Sequence, residues 1–414
     1  MNLSIDAARL SAELEALGAI SEAPSPIVTR VVFSEADVLA RTYFKTLCRD
    51  AGLDVREDAV GNTFARWHGE SPELAAVATG SHIDAIPNAG RFDGTVGVLG
   101  GLEAIRALQR GGARPTRSID LIAFTSEEPT RFGIGCLGSR MMAGVLDPSV
   151  GASLRGKDGL SLNEARAAAG FSAPLDAVRM DHGHYAAFVE LHIEQGPLLE
   201  QRGIPLGVVS AIAAPAGLRL TVEGEGGHAG AVLMPSRHDA FLAAAEIALA
   251  LENAAKSSGA IDTVATTGVC EVFPGAVNSI PSRVKLEIDV RDIVEARRDA
   301  VLGALDETCA EVSARRGVCV RKEVINADAP AECATQVTSA LERAAVKHQL
   351  EFMRMVSRAY HDSLFMSRIA PTGMLFIPCR GGVSHRPDEY AAPEAIAQGS
   401  LVLAETLLEL ANWV

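Results

Sequence analysis

The stretch Ser118-Ile-Asp-Leu-Ile-Ala-Phe-Thr-Ser-Glu127-Glu128 joins an apolar run to two adjacent carboxylates. Continuous apolar runs of this length are typical of strands that are buried on both faces of a parallel sheet. Similar runs cover residues 74–79 and 186–192, and a helical pattern covers residues 95–110. Strands that alternate with helices in this way indicate an α/β fold, with a mixed, mostly parallel sheet flanked by helices.

A different pattern begins about half-way along the chain. Residues 218–223 and 284–290 alternate apolar and polar side chains, which is typical of antiparallel strands with one buried face. Two long helical patterns lie between and after these strands, and 414 residues are enough for two domains. We therefore predict an inserted α+β domain over residues 214–328, which divides the α/β domain into residues 1–213 and 329–414.

The composition excludes several classes of protein. A formal net charge of −14 argues against a nucleic-acid partner, because a phosphate backbone needs a basic surface. No apolar run approaches the roughly 18 residues of a membrane span, and the N-terminal residues do not have the pattern of a signal peptide. The seven cysteines are scattered and include no C-x-x-C pair, which favours a reducing compartment. We predict a cytoplasmic protein that binds neither nucleic acid nor membrane.

Side chains that can bind metal ions follow several of the apolar runs. Besides Glu127 and Glu128, they are His82, Asp93, His192 and His385. The carboxyl ends of parallel strands meet at one edge of a sheet, so we expect these side chains to lie together. Imidazole and carboxylate groups suit zinc, manganese or cobalt, and one aspartate can bridge two such ions about 3.5–4 Å apart. Asp84, two residues after His82, is a natural partner to fix the tautomer of that imidazole.

Other catalytic motifs are poorly supported. The chain has neither the His-Glu-x-x-His motif of helix-borne zinc sites nor the Gly-x-Ser-x-Gly motif of serine hydrolases. Residues 133–138 match the Gly-x-Gly-x-x-Gly pattern of dinucleotide-binding loops. They lie several residues past the apolar run, so the tight strand–turn–helix geometry of such a loop is missing. We interpret this segment as a loop of the metal-binding domain.

The motifs together resemble a known family. They are Thr79-Gly-Ser-His82-Ile-Asp84, Gly90-Arg-Phe-Asp93-Gly94, Phe124-Thr-Ser-Glu127-Glu128, Glu190-Leu-His192-Ile-Glu-Gln195, Gly227-His228-Ala-Gly and Gly382-Val-Ser-His385. In this order they resemble the carbamoylase/allantoate amidohydrolase branch of the dinuclear aminoacylase-type metallohydrolases. Within that branch the chain is most similar to the ureidoglycolate amidohydrolases, over residues 226–235, 274–282, 357–363 and 374–379.

The resemblance implies a site with two divalent metal ions, Mn²⁺ or Zn²⁺, of which it favours Mn²⁺. His82 and His192 would be terminal ligands of one ion, and Asp93 would bridge the pair. Glu128 and His385 would hold the second ion, and Glu127 would be the general base. The bond between Asp93 and Gly94 resembles one that is cis in relatives, so we expect a cis bond here.

The resemblance also implies a substrate pocket that two subunits share. The residues matching substrate-binding positions are Gln195, His228, Asn278 and Arg291, and we expect Tyr360 and Gly382 to belong to the same pocket. The inserted domain would carry a four-stranded antiparallel sheet and would make a homodimer. His228 would then reach the partner's active site, together with Asn278 and Arg291, and stabilise the oxyanion. Tyr360 departs from the small residues of most carbamoylases and favours a small hydroxylated acid.

These features predict a metal-dependent amidohydrolase that acts on a small ureido acid. The reaction that the resemblance favours is cleavage of the ureido C–N bond of ureidoglycolate, which yields glyoxylate, ammonia and carbon dioxide in purine and ureide catabolism. An N-carbamoyl-L-amino acid hydrolase and an allantoate amidohydrolase would use the same two-metal mechanism. A dipeptidase or a non-catalytic metal-binding protein on the same scaffold is a further alternative.

Overall fold

The computed structural model describes residues 3–413, which form two compact units. The larger unit comprises residues 3–210, 332–355 and 361–413. The smaller unit comprises residues 211–331 and a short return segment, Val356–Tyr360. From the sequence we assigned that segment to the first domain. It belongs with the smaller unit because the backbone N–H of Ala213 donates to the carbonyl of Ser357 at 2.8 Å.

Helices and strands alternate along most of the chain. The α-helices are α1 Ala7–Ala19, α2 Glu35–Asp50, α3 Thr95–Arg110, α4 Leu137–Met142, α5 Pro148–Ser153, α6 Leu162–Ala168, α7 Leu198–Arg202, α8 Ala240–Ser257, α9 Glu295–Arg316, α10 Thr335–Lys347, α11 Asp362–Met366 and α12 Pro393–Ala411. Short 3₁₀ turns cover Leu175–Val178, Met234–Ser236 and Arg380–Gly382. The strands are β1 Val28–Arg30, β2 Asp54–Glu57, β3 Thr63–Trp67, β4 Ala76–His82, β5 Ala85–Ala89, β6 Ile119–Phe124, β7 Tyr185–Ile193, β8 Leu206–Ile212, β9 Ala214–Glu223, β10 Gly227–His228, β11 Val264–Phe273, β12 Ser279–Ile280, β13 Arg283–Asp292, β14 Cys319–Ala327, β15 Ala331–Glu332, β16 Phe352–Ser357 and β17 Thr372–Ile377.

The large sheet has nine strands, in the order β15-β8-β17-β7-β4-β6-β3-β2, with β16 paired to β8. Its centre is parallel, because β17 pairs with β7, β7 with β4, and β4 with β6 in the same direction. The flanking strands β3 and β8 run antiparallel to this centre. The predicted α/β fold with a mixed sheet is therefore confirmed, and the central strands end at one common edge.

Helices cover both faces of this sheet. Along β6, Ile119, Leu121 and Ala123 belong to the core on one face, whereas Ile122 and Phe124 belong to the core on the other. Successive side chains of a strand point to opposite faces, so an uninterrupted apolar run is what two buried faces require. The first core includes side chains of α1, α2, α3, α10 and α12.

The smaller unit has a four-stranded antiparallel sheet, in the order β11-β13-β9-β14. One of its faces packs on α8 and α9, and β13 alternates buried and partly exposed side chains throughout. Asp239 caps α8, since its carboxylate accepts the backbone N–H groups of Phe241 and Leu242. The alternation of residues 284–290 therefore follows from a sheet with a single covered face.

None of the helices that the structure describes within residues 3–413 is both long enough and apolar enough to cross a membrane.

Two neighbouring residues of β13 test this one-sided core. Leu286 is buried, whereas the side chain of Lys285 is 33% exposed and lies 2.9 Å from a carboxylate oxygen of Glu287. We expect Leu286→Ala to lower the free energy of unfolding by about 2–5 kcal/mol, because it leaves a cavity in the core. Lys285→Ala should lower it by no more than about 1 kcal/mol. Urea denaturation followed by circular dichroism measures both, and equal effects would contradict the assignment of the buried face.

Candidate active site

The ends of the central strands bring four segments of the larger unit together. His82 is the last residue of β4, and His192 lies next to the end of β7. Glu127 and Glu128 follow β6 after a two-residue turn, and His385 follows β17 after a 3₁₀ turn. Parallel strands place their carboxyl ends at one edge of the sheet, which is where α/β proteins bind ligands. The fold therefore gathers side chains that are up to about three hundred residues apart along the chain.

Asp93 lies at the centre of this cluster, with its two carboxylate oxygens directed to different partners. Oδ1 lies 3.2 Å from Nε2 of His192 and 3.6 Å from Nε2 of His82. Oδ2 lies 3.0 Å from Nε2 of His385, which in turn lies 3.3 Å from Oε1 of Glu128. The result is two donor groups that share Asp93: one with His82 and His192, the other with Glu128 and His385.

Gly94 allows this close arrangement. Its φ is +66°, and a Cβ atom there would lie 2.5 Å from the ring of His82, so only glycine fits. Its backbone N–H donates to Nε2 of His192 at 3.3 Å. The expected cis bond between Asp93 and Gly94 is wrong: cis bonds within residues 3–413 precede Pro26 and Pro274. The positive φ of Gly94 instead turns the chain into α3.

Hydrogen bonds on the far side of each ring fix the tautomers of the buried histidines. Nδ1 of His82 lies 3.0 Å from the main-chain oxygen of Asp84, and Nδ1 of His192 lies 2.9 Å from that of Ile193. A carbonyl oxygen only accepts, so each Nδ1 carries a proton and each Nε2 is left as the nitrogen that can bind an ion beside Asp93. This is the tautomer that a metal ion requires of an Nε2 ligand.

Asp84 supports the site differently from our expectation. Its side-chain oxygen is 3.8 Å from Nδ1 of His82, so the main-chain oxygen, not the carboxylate, bonds the imidazole. The carboxylate accepts the backbone N–H groups of Glu127 at 3.2 Å and of Glu128 at 3.1 Å. Ser126, just before them, has a φ of +56°, a conformation that costs a non-glycine residue about 1–3 kcal/mol. Asp84 thereby holds both glutamates on a strained turn.

The electrostatics of the cluster are those of a cation site. Burial, together with the charge of Asp93, raises the pKa of Glu128 to about 7. Burial opposes ionisation of Asp93 as well, but hydrogen bonds to His192, His385 and His82 hold its pKa well below its usual range. The hydrogen bond to Asp93 raises the pKa of His385 to about 9, although burial partly offsets this effect. Carboxylates crowded in a buried space need positive charge, and a divalent cation supplies it more effectively than protons do.

The donor set therefore fits a divalent metal site. Imidazole nitrogens with defined tautomers and carboxylate oxygens are ligands for ions of the zinc and manganese type. Both groups of donors have their ligand atoms within 4.8 Å of one another. A third group, Glu190, His192 and His361, meets the same criterion but shares His192. Both oxygens of Glu190 already accept hydrogen bonds, from Ser81 and Ser363.

Glu127 differs from Glu128 in its surroundings. It belongs to neither donor group, although its Oε2 lies 3.8 Å from Nε2 of His82. Burial, together with the charges of Glu128 and Asp362, raises the pKa of Glu127 well above its usual range. The thiol of Cys136 lies 3.5 Å from Oε1 and stays protonated, because burial raises the pKa of the thiol as well. Cys136 was missed from the sequence, since an isolated cysteine carries no signal of its partner.

Polar residues behind Asp93 complete the arrangement. The amide of Gln195 donates to Oδ2 of Asp93 at 2.9 Å and to Ser384 at 3.2 Å. Glu389, which no motif indicated, accepts the backbone N–H of Asp93 and the hydroxyl of Ser384. Gly382 is the other residue of the larger unit that we predicted to bind substrate. Its φ is +67°, and a Cβ atom there would overlap the backbone of Gly196 and Pro197.

The other predicted site residues lie in the smaller unit. His228, the last residue of β10, and Asn278, just before β12, are both exposed, and the N–H of Ala229 donates to the carbonyl of Asn278 at 2.9 Å. The guanidinium of Arg291 lies 5.6 Å from the ring centroid of Tyr360. Its Nε and Nη2 donate to the carboxylate of Asp289 at 2.7 and 3.1 Å. The structure thus brings the segments that carry His228 and Asn278 together, and it places Arg291 next to Tyr360.

Known proteins resemble this chain over its whole length. The rice (Oryza sativa subsp. japonica) ureidoglycolate hydrolase is 53% identical over 98% of this chain and 85% of its own length. The N-carbamoyl-L-amino acid amidohydrolase of Geobacillus stearothermophilus is 38% identical over 99% of both chains. Two crystal structures of AtUAH, with (S)-hydroxyglycine and with glyoxylate, each cover 99% of this chain and 98% of their own chain, with TM-scores of 0.90. They are 51% and 52% identical in sequence.

The family model described as Peptidase family M20/M25/M40 matches residues 78–409. These residues contain all the central strands of the large sheet except the first two residues of β4, and every member of the metal-binding cluster. The resemblance that the motifs indicated is therefore confirmed. The chain belongs to the M20/M25/M40 peptidase family.

Proposed function

We propose that this protein is a metal-dependent amidohydrolase that cleaves the ureido C–N bond of ureidoglycolate. The products would be glyoxylate, ammonia and carbon dioxide, as part of purine and ureide catabolism. The observation that carries the substrate is the 53% identity with a ureidoglycolate hydrolase over 98% of this chain. The complexes of AtUAH with (S)-hydroxyglycine and glyoxylate support it, since these are the compounds expected when ammonia and carbon dioxide leave ureidoglycolate.

The proposed cofactor is a pair of divalent ions, of which Mn²⁺ is the one suggested by the resemblance to ureidoglycolate amidohydrolases. The division of the oxygens of Asp93 between two donor groups supports this count. When bound, such ions supply positive charge to polarise a carbonyl group and to lower the pKa of an attacking water molecule. In our proposal His82 and His192 hold one ion, Glu128 and His385 hold the other, and Asp93 is common to both.

Glu127 is the proposed general base. It is buried next to the donor groups but is not part of them, so its carboxylate remains available for a proton. Because the surroundings raise its pKa, it holds a proton more readily than an exposed glutamate does. It takes a proton from the attacking water molecule and passes it to the leaving nitrogen of the ureido group. Cys136 and the turn held by Asp84 keep this carboxylate in place.

Residues of both units are proposed to recognise the substrate. Arg291 would bind its carboxylate, and the hydroxyl of Tyr360 would contact its polar groups. Asp289 accepts from the Nε–Nη2 edge of Arg291, and Nη1 donates to the main-chain oxygen of Arg358 at 3.4 Å, so these bonds hold the guanidinium in position. Gln195 and Asn278 would bind the ureido group, with Gly382 lining the pocket. His228 would donate a hydrogen bond to the carbonyl oxygen as negative charge develops there.

We further propose a homodimer in which His228, with Asn278 and Arg291, serves the active site of the partner subunit. Large apolar side chains around the His228 and Asn278 loops support a protein interface: Leu233 is 74% exposed, Met234 67% and Val277 103%. Apolar side chains grouped in this way commonly mark interaction sites.

All seven cysteines are free thiols, which supports the further proposal of a cytoplasmic location.

A substrate panel tests the proposed reaction against its alternatives. The Mn²⁺-loaded protein is assayed for ammonia release on ureidoglycolate, N-carbamoyl amino acids and allantoate, and for amino-acid release on unblocked dipeptides. We expect the highest kcat/KM for ureidoglycolate, because Tyr360 is expected to narrow the pocket and to favour a small substrate. The 38% identical carbamoylase makes N-carbamoyl amino acids the main competitors. A higher kcat/KM for one of them would overturn the choice of substrate but not the reaction class.

Substitution of each glutamate separates the base from the ligand. Glu127→Gln should lower kcat by about 10²–10⁴-fold, because the amide cannot take the proton. Its bound metal, measured by elemental analysis after gel filtration, should equal that of the unaltered protein. Glu128→Gln is the matched change at the neighbouring position and should lose metal as well as activity. Full activity of Glu127→Gln would show that another residue is the base.

Mixing two inactive variants tests the shared active site. Glu127→Gln and His228→Ala should each be inactive as separate homodimers. If His228 serves the partner subunit, random exchange of equal amounts should restore about a quarter of the original activity, since half the dimers are hybrids with one complete site. The same mixture of Glu127→Gln with Glu128→Gln is the control and should stay inactive. No recovery after verified subunit exchange would contradict the shared site.

A further inference from the structure

We propose that Glu389 is a positioning residue, which fixes the Asp93 turn and the His385 segment in the geometry that binds metal. This inference rests on the metal site of the proposed function, but not on the identity of the substrate. Glu389 lies four residues after His385 and is 5% exposed. It belongs to none of the groups whose atoms could hold an ion.

One oxygen of Glu389 holds the turn that carries Asp93. Oε1 accepts the backbone N–H of Phe92 at 2.8 Å and that of Asp93 at 3.1 Å. The side chain approaches so closely that a Cβ atom at Gly90 would overlap it. Two N–H groups bonded to one carboxylate oxygen leave the backbone of this turn little freedom, and the direction of the Asp93 side chain depends on that backbone.

The other oxygen connects to the second donor group. Oε2 lies 2.8 Å from the hydroxyl of Ser384, which lies 3.2 Å from Oδ2 of Asp93. Oδ2 is the oxygen that faces His385. A hydroxyl carries a single proton, and the shorter distance favours donation to Glu389. Ser384 can then accept the amide hydrogen of Gln195, which also donates to Oδ2 of Asp93.

His385 needs such an anchor more than the other ligands do. Its side chain is 47% exposed, whereas those of His82 and His192 are 2% and 1% exposed. Its φ of +58° is unfavourable for a non-glycine residue, so the surrounding structure must hold it. Glu389 ties the end of the segment Ser384–Glu389 to the Asp93 turn, and Ser384 is bonded to Glu389 and, through Gln195, to Asp93. Glu389 therefore links two ligands that lie 292 positions apart in the sequence.

Metal affinity of the full-length protein tests this role. Residues that orient metal ligands typically contribute about 10–100-fold to affinity, so we expect Glu389→Ala to raise the Kd for Mn²⁺ by that factor. Glu389→Gln should stay within a few-fold of the unaltered protein, because its amide oxygen can still accept the N–H groups of Phe92 and Asp93. Ser384→Ala should give an intermediate loss. Calorimetric titration of the metal-free protein with Mn²⁺ measures all three without any substrate.

Glu103→Ala is the matched control. Glu103 is a buried glutamate of the same unit that accepts the backbone N–H of Asp6 and bonds Arg9 and Arg110, none of which belongs to the metal-binding groups. The Glu103→Ala substitution should lower the Tm of the metal-free protein without changing the Kd for Mn²⁺. If Glu389→Ala behaves like this control, Glu389 is merely structural and the inference is overturned. If Glu389→Ala does not fold, the comparison of Glu389→Gln with Ser384→Ala takes its place. We expect Ser384→Ala to bind Mn²⁺ more weakly than Glu389→Gln, and equal Kd values for these two variants would overturn the inference.

The metal titration also separates this inference from the proposed function. Failure of the unaltered protein to bind Mn²⁺ or Zn²⁺ would overturn the proposed function. Normal binding by the unaltered protein and by Glu389→Ala would overturn only the role of Glu389.

Discussion

The structure depends on the stabilisation of negative charge in a buried space. Asp93, Glu127, Glu128 and Asp84 are all less than one-tenth exposed, and they lie at the same edge of the sheet. Isolated buried carboxylates would take up protons, and the raised pKa values of Glu127 and Glu128 reflect this tendency. Asp93 stays ionised because imidazoles surround it on both sides. A divalent cation would complete the compensation, so the metal and the fold stabilise each other.

The parallel centre of the sheet makes this concentration of charge possible. Each central strand is buried on both faces, and the side chains of the two metal-binding groups lie at the carboxyl ends of these strands or in the segments that follow them. Hydrogen bonds between side chains and the backbone then fix the turns that follow. Asp84 holds the two glutamates, and main-chain oxygens hold the two buried histidines. The catalytic geometry is thus largely a property of strand ends and of short, strained turns.

Much of this arrangement could be predicted from the sequence. Long apolar runs that end in His82, His192 or Glu127 indicate a parallel sheet and place these residues at one edge, because strand direction fixes where the ends lie. The hydrogen bonds by which Asp84, Cys136 and Glu389 support the site could not be predicted from the sequence. Asp84 acts through its main chain as well as its side chain, and Cys136 and Glu389 contact partners that are distant in the sequence. Side-chain hydrogen bonds of this kind leave no periodic pattern.

The assignment of residues 356–360 shows a related limit. The strand β16 begins in the larger unit and passes into the smaller one between Met355 and Val356, and a crossing inside a single strand leaves no break in the sequence pattern.

The unequal exposure of His82, His192 and His385 has a consequence for the exchange of metal ions with solvent. His385 is the one ligand of the cluster that is half-exposed, whereas the group of His82, Asp93 and His192 is enclosed. In the proposed site, the His385 side is therefore the one at which an ion would meet solvent, whereas an ion held by His82, Asp93 and His192 would be enclosed by protein.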